Sequence, residues 1–140
     1  MEADLKYADE MSLIPCCPPT SAAAIRNQVF RFFHEDTSDI RNYLPPAKLQ
    51  PTRKWKNDEE RCDGLGLSMF FSLSKADAYF HDLRRVIPNI GKRIGLHVAT
   101  GDIVEDDGKA TPVDEAGHFS LFESSTCSFH GRFQLVKALI

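Results

Sequence analysis

Gly64-Leu65-Gly66-Leu67-Ser68-Met69-Phe70-Phe71-Ser72-Leu73-Ser74-Lys75-Ala76-Asp77-Ala78-Tyr79 sets a strand directly against a helix. Leu67 to Leu73 is an apolar run of strand length, introduced by Gly64 and Gly66. Ser74 then reads as a helix N-cap, with Asp77 three residues on to answer the free N–H groups of the first turn. Ala76, Tyr79, Phe80, Leu83 and Ile87 follow at helical spacing and form one apolar stripe. Arg84 and Arg85 stand near the C-terminal end, where the helix dipole favours cations, and Pro88 and Gly91 stop the helix.

Upstream of this block, Gln28 to His34 predicts a strand, because Val29, Phe30, Phe32 and Phe33 are strand formers. Residues 1–27 before it form a partly helical lead-in, with turns expected at Asp4–Met11 and Ser21–Arg26 and breaks at Pro15, Pro18 and Pro19. Glu35 to Asp63 is a long polar loop with a short helical turn expected at Ser38–Tyr43; loops of that length are often functional. Downstream, Lys92 to Ala99 predicts a strand with Ile94, Leu96 and Val98 on one face and Arg93, Gly95 and His97 on the other. Asp106-Asp107-Gly108-Lys109 is a turn signal for a hairpin, and His118–Glu123 and Arg132–Leu139 are further strands. Strand, long loop, strand, helix and then several strands predict one α+β domain over 28–140, with a mostly antiparallel, split sheet.

At 140 residues, 42% hydrophobic and 26% charged, the chain has the size and composition of a single folded domain. A net charge of −3 gives no overall attraction to nucleic acid or to an anionic membrane, so neither is expected as a partner. The basic run Arg53-Lys54-Trp55-Lys56 is offset at once by Asp58-Glu59-Glu60. No stretch of 18 apolar residues occurs, and the acidic start lacks the basic flank and apolar core of a signal peptide, so a cytoplasmic location is expected. Cys16, Cys17, Cys62 and Cys127 are then expected as free thiols. Cys127-x-x-His130 has ligand spacing but lacks a second close-spaced pair, so no metal is expected.

The quoted block is similar, without a gap, to the nicotinamide-pocket segment of the ADP-ribosyltransferase superfamily, and is closest to its poly(ADP-ribose) polymerase branch. That pattern runs roughly G-x-G-I-Y-F-A and then S-K-S-x-x-Y; the matches are Gly64, Gly66, Ser74, Lys75 and Tyr79, with Leu67 at a similar apolar position. Ile94 to Gly101 also looks like the family's following strand. The resemblance implies a split antiparallel sheet holding NAD in a cleft. It implies Tyr79 stacked on the nicotinamide ring, and Gly66, Ser68 and Ser74 around it. Arg31 or His34 would hold the dinucleotide, and Glu123 would stabilise the cationic ribose as nicotinamide leaves. Catalytic roles therefore fall to Glu123 and His34, and cofactor contacts to Arg31, Gly66, Ser68, Ser74 and Tyr79. The sequence departs from the family at Ser68, where a tyrosine forms the second pocket wall, and at Ala76, where a serine bonds the carboxamide. Glu35 also stands where a glycine follows the family's histidine.

The function implied is binding of NAD or an ADP-ribosyl compound, by an ADP-ribosyl transferase, an NAD glycohydrolase or an inactive relative. Two other readings stay open. One is an α+β module engaging a protein partner. The other is a small hydrolase or metal-dependent enzyme built on His97, His118 and His130, with the His97–His118 pair, Ser120 and Glu123 as an acid–base set and with His118, Ser120 and Phe122 on one face of their strand. No G-x-S-x-G elbow and no Walker A motif is present. Each residue also has a purely structural explanation: Gly64 and Gly66 in a loop needing positive φ, Tyr79 in the core stripe, Ser74 as a cap, Glu123 as an exposed carboxylate. Oligomeric state is not legible.

Overall fold

The computed structural model describes residues 4–140, so the first three residues of the expected lead-in lie outside the described residues. The elements in chain order are α1 (Ala8–Met11), β1 (Asn27–Phe33), a 3-10 turn (Ile40–Tyr43), α2 (Pro46–Leu49), α3 (Asp58–Asp63) and β2 (Leu67–Phe70). Then follow α4 (Leu73–Val86), α5 (Ile90–Ile94), β3 (His97–Ile103), a 3-10 turn (Glu105–Asp107), β4 (Gly108–Ala110), β5 (His118–Glu123) and β6 (Gln134–Ala138). The fold is α+β, with one main helix after the second strand, as the sequence predicts. No described helix is long and apolar enough to cross a membrane.

The strands form one antiparallel sheet in the order β4-β5-β2-β1-β3-β6. Its two halves are tightly laddered: β1 and β3 pair from Asn27↔Ile103 to Phe33↔His97, and β2 and β5 from Leu67↔Leu121 to Phe70↔His118. The halves meet at a single register pair, Phe30↔Phe70. The sheet is therefore split at β1/β2, and this split positions the candidate site.

Because side chains alternate along a strand and directly paired residues share a face, each face can be read from the register. Phe30, Phe32, Phe70 and Val98 face α4 and pack with Ala76 and Phe80, so the apolar stripe of that helix lands on the sheet as its spacing requires. Val29, Phe33, Leu67, Met69, Phe119 and Leu121 form the opposite core, closed by Phe129, Phe133 and Tyr43. A third cluster joins Met11 and Ile14 of the N-terminal segment to Cys62, Leu65 and Phe122.

Several expectations are corrected. The helix cap is Ser72, whose Oγ accepts from the Lys75 N–H at 3.2 Å; Ser74 lies two residues further in and shares a hydrogen bond with Ser72 Oγ. Lys92 to Ala99 is not one strand. It begins as α5, turns at Gly95 (φ +94) and enters β3 only at His97. A side chain at Gly95 would overlap the Phe33 carbonyl oxygen, so this close approach belongs to glycine alone. β4 pairs with β5 and not with β3, so the Asp106–Lys109 signal is no hairpin. Buried Asp107 binds Arg132 (2.8 and 2.6 Å) and caps the Val104 N–H, which turns the chain away towards the far edge of the sheet.

Cys17 and Cys62 form a disulfide rather than free thiols, because the packed N-terminal segment brings them within a Cα separation of 5.6 Å. Cys16 and Cys127 remain free, the first exposed and the second buried. Gly64 and Gly66 do not adopt positive φ. They are places of close approach instead: a Cβ would sit 2.5 Å from the Trp55 ring at Gly64 and 2.9 Å from Ser120 Cβ at Gly66.

Candidate functional site

Beyond the Phe30↔Phe70 pair the two central strands part, and Arg31 closes the gap. Its Nη1 donates to the Ser68 carbonyl at 2.6 Å and its Nη2 to the Asn42 carbonyl at 2.9 Å. Asn42, only 2% exposed, in turn accepts from the His34 N–H and donates to the Asp36 carbonyl, so the end of β1 and the loop after it are held together. Arg31 is 7% exposed. Burial brings its pKa down to about 10 against the upward pull of Glu123 and Tyr43, which leaves it cationic at neutral pH.

A cavity of about 560 Å³ opens at this split. Arg31, Phe32 and Ser68 form its floor, and Tyr79, Leu83 and Ile87 of α4 form one wall with Ile90 and Ile94 of α5. The long loop forms the other wall through Leu44, Pro46, Leu49 and Gln50. Arg41, Arg53 and Arg93 complete a set of four arginines in a lining that contains no acid. Arg41 is held by Asp39 and Arg53 by Glu60 and the Trp55 ring, while Arg93 has no acidic partner among the described residues. An apolar wall with convergent cations suits a ligand that is partly flat or aliphatic and carries an anionic group.

The floor continues into β5. Ser68 Oγ lies 2.6 Å from His118 Nε2, and the His118 ring runs nearly parallel to Tyr79, at 12° with centroids 5.8 Å apart. Asp114 accepts from the backbone N–H groups of Ala116 and His118, and its Oδ2 stands 3.7 Å from His118 Nδ1. Burial lowers the His118 pKa below its ordinary value; Asp114 pulls it up and Arg31 pushes it down. Tyr79 is half-buried, and burial raises its phenol pKa, with a smaller push from Asp114.

The structure thus brings Arg31, Ser68 and Tyr79 to one cavity. The other residues named from sequence do not line it. Gly66 packs beneath Ser120, and Ser74 is exposed at the start of α4. His34 sits at the end of β1, its pKa lowered by burial and by Arg41 against the pull of Asp39 and a backbone bond to Arg93. Glu123, on the same sheet face as Arg31, does not line the cavity: it is only 4% exposed, with Oε2 bound to Lys6 Nζ at 2.7 Å and Oε1 buried without a hydrogen bond. Lys6 reaches it because the N-terminal segment pairs with the end of β5.

His97, His118 and His130 do not meet. His97 pairs with Phe33 and His118 with Phe70, which puts them on opposite faces and in different halves of the sheet, while His130 stacks on Tyr43. Sequence reasoning placed His118 and Ser120 on one face of β5, but the partner of His118 is Ser68. Only the β2–β5 register could have shown that. Arg93 was assigned to a strand face and reaches the cavity because its segment is helical. Comparison with protein-family models, with curated proteins and with solved structures finds no match to this chain in any of the three.

Proposed function

We propose that the protein binds an NAD-type dinucleotide or a related ADP-ribosyl compound in the cleft at the split of its sheet, in the manner of an ADP-ribosyltransferase-like protein. The observation that carries this reading is that Arg31 of β1 joins Ser68 and Tyr79 of the Gly64–Tyr79 block in lining one cavity of about 560 Å³. Tyr79 offers an aromatic face for a flat, electron-poor ring, and the arginines offer donors for phosphates. Because Glu123 does not line the cavity and is paired with Lys6, the reading is one of binding rather than ADP-ribosyl transfer. The cytoplasm, where such dinucleotides are abundant, is the location that goes with it. The Cys17–Cys62 bond is the observation opposing that location, since disulfides persist chiefly in oxidising compartments.

Isothermal calorimetry with NAD tests the proposal. Saturable heat is expected, weakened about fivefold in Tyr79→Ala, the loss of one stacked ring being worth on the order of 1 kcal/mol. No heat at millimolar NAD with folded protein would remove the reading. Binding unaffected by both Tyr79→Ala and Arg93→Ala would move the ligand to another site.

A further inference from the structure

We propose that Ser68 is a histidine-activated nucleophile, and that the floor of the cleft is built for hydrolysis or transfer of a carboxylic ester bearing an anionic group. This does not rest on the ligand being a dinucleotide. It rests on the juxtaposition of Ser68, His118, Asp114 and Arg31, drawn from β2, β5, the turn before β5 and β1.

Four features of the geometry fit the chemistry. Ser68 Oγ and His118 Nε2 are 2.6 Å apart, within reach of direct proton transfer, and Ser68 lines the open cavity rather than the core. The His118 ring is held between Tyr79, stacked at 12°, and the edge of Phe70 at 5.3 Å, so its orientation is set by packing. Asp114 faces the other ring nitrogen. At 3.7 Å from Nδ1 its Oδ2 is at ion-pair distance, and a carboxylate there favours the tautomer with the proton on Nδ1, leaving the Nε2 lone pair for the serine hydroxyl. Finally, the Arg31 guanidinium donates to the Ser68 carbonyl and to the Asn42 carbonyl, so the backbone that carries the nucleophile is held in place at the split. The lowered pKa of His118 keeps the imidazole in the neutral form that a general base requires.

The direct partner of Ser68 on β5 is Ser120, and Phe70 and His118 are the next pair; α4 covers Phe30, Phe32 and Phe70 but leaves Ser68 facing the cavity. A polar pair serving only packing would have no need of an open approach on the serine side. The apolar wall of Leu83, Ile87, Ile90 and Ile94 suits an acyl chain, and Arg93 at the rim suits the anionic group.

The reaction balances without any further reagent. Ser68 Oγ bonds to the carbonyl carbon as its proton passes to His118 Nε2 and the carbonyl electron pair moves onto oxygen. Collapse breaks the carbon–oxygen bond to the leaving alcohol, which takes the proton from Nε2. Water repeats the sequence on the acyl-serine: its proton goes to His118, its oxygen bonds to the carbon, and Ser68 Oγ departs and regains a proton. The sum is ester plus water giving acid plus alcohol. Ser68 and His118 are the catalytic residues here, and Asp114 is a positioning residue.

The test is covalent labelling of the full chain with a fluorophosphonate, read by intact mass and peptide mapping, alongside hydrolysis of p-nitrophenyl butyrate. One adduct on Ser68 is expected in the wild type. It should persist in Ser120→Ala, disappear in Ser68→Ala, and form at least about 100-fold more slowly in His118→Gln, the usual scale for a lost general base. Asp114→Asn should lower kcat for the ester with KM little changed, and Asp114→Glu should restore part of it, a split that a merely structural role would not produce. Folded wild-type protein that takes no adduct, an adduct mapped elsewhere, or ester hydrolysis that survives in Ser68→Ala would each overturn the proposal. Failure of NAD to bind leaves it standing, so the two readings fail separately.

Discussion

Reducing the Cys17–Cys62 bond should destabilise the protein by about 4 kcal/mol without unfolding it. The bond closes a loop with a sequence separation of 45. In the chain-entropy account, closing a loop of that length removes about 13 cal/mol/K from the unfolded ensemble, which is about 4 kcal/mol at 25 °C. The native side changes little on reduction, because both sulfurs sit in a cluster with Met11, Ile14, Leu65 and Phe122 that does not depend on the bond. With a urea dependence of about 2 kcal/mol per molar, the midpoint should fall by about 2 M. The assay is urea titration with and without a phosphine reductant, followed by circular dichroism and by the fluorescence of Trp55. That ring packs against Gly64, just after Cys62, so it reports on the same region. The double variant Cys17→Ser/Cys62→Ser should match the reduced wild type. The consequence for the site is local: Cys62 lies in the last turn of α3, which leads into β2, and Ser68 is carried on β2, so hydrogen exchange at Leu67–Phe70 should quicken on reduction. Equal midpoints in the two conditions, or four titratable thiols in the unreduced protein, would refute the reasoning.

Among the free thiols, Cys16 is exposed while burial, then Glu123 and Asp107, push the Cys127 thiol up to about 12. Maleimide should therefore label Cys16 within minutes and Cys127 only on unfolding, and rapid native labelling at Cys127 would contradict its burial. Acid should destabilise the fold. The His118 pKa is lowered by burial and by Arg31 against the pull of Asp114, with Tyr79 stacked on the ring. The His34 pKa is lowered by burial and Arg41 against the pull of Asp39 and the Arg93 backbone. In the window from the ordinary value of 6.5 down to the lowered ones, the unfolded chain binds protons that the folded one does not, so stability is lost as pH falls. A urea midpoint that stays flat or rises between pH 7 and pH 5 would contradict this sign. Gly95→Ala should cost about 3 kcal/mol or more, because φ is +94 there and a Cβ would overlap the Phe33 carbonyl. Thermal denaturation within a few degrees of the wild type would show that the backbone at this turn relaxes freely.

Where a residue pattern is long and local, it was legible. The stripe Ala76, Tyr79, Phe80, Leu83, Ile87 specifies α4, because side-chain period and burial face agree there, and the short run His118–Glu123 specifies β5, whose two faces are both buried. Lys92 to Ala99 was ambiguous for the same physical reason. Over eight residues, apolar positions at 94, 96 and 98 fit a strand, yet Ile94 packs with Ile90 and Phe80 as part of a helical face while Leu96 is left exposed. Ser72 and Ser74 are equivalent as caps until the helix packs and selects the first turn.

By itself the sequence determined the α+β class, the main helix, the final strands and a block around Gly64–Tyr79 that any functional reading had to include. Tertiary structure decided the rest. Whether Cys17 meets Cys62, whether His118 meets Ser68 or His97, and whether Glu123 faces the cleft or Lys6 all depend on register and on which segment covers which face. These are contacts between residues tens of positions apart. Nothing in local spacing encodes them, because the free energy that selects them comes from burying whole faces together.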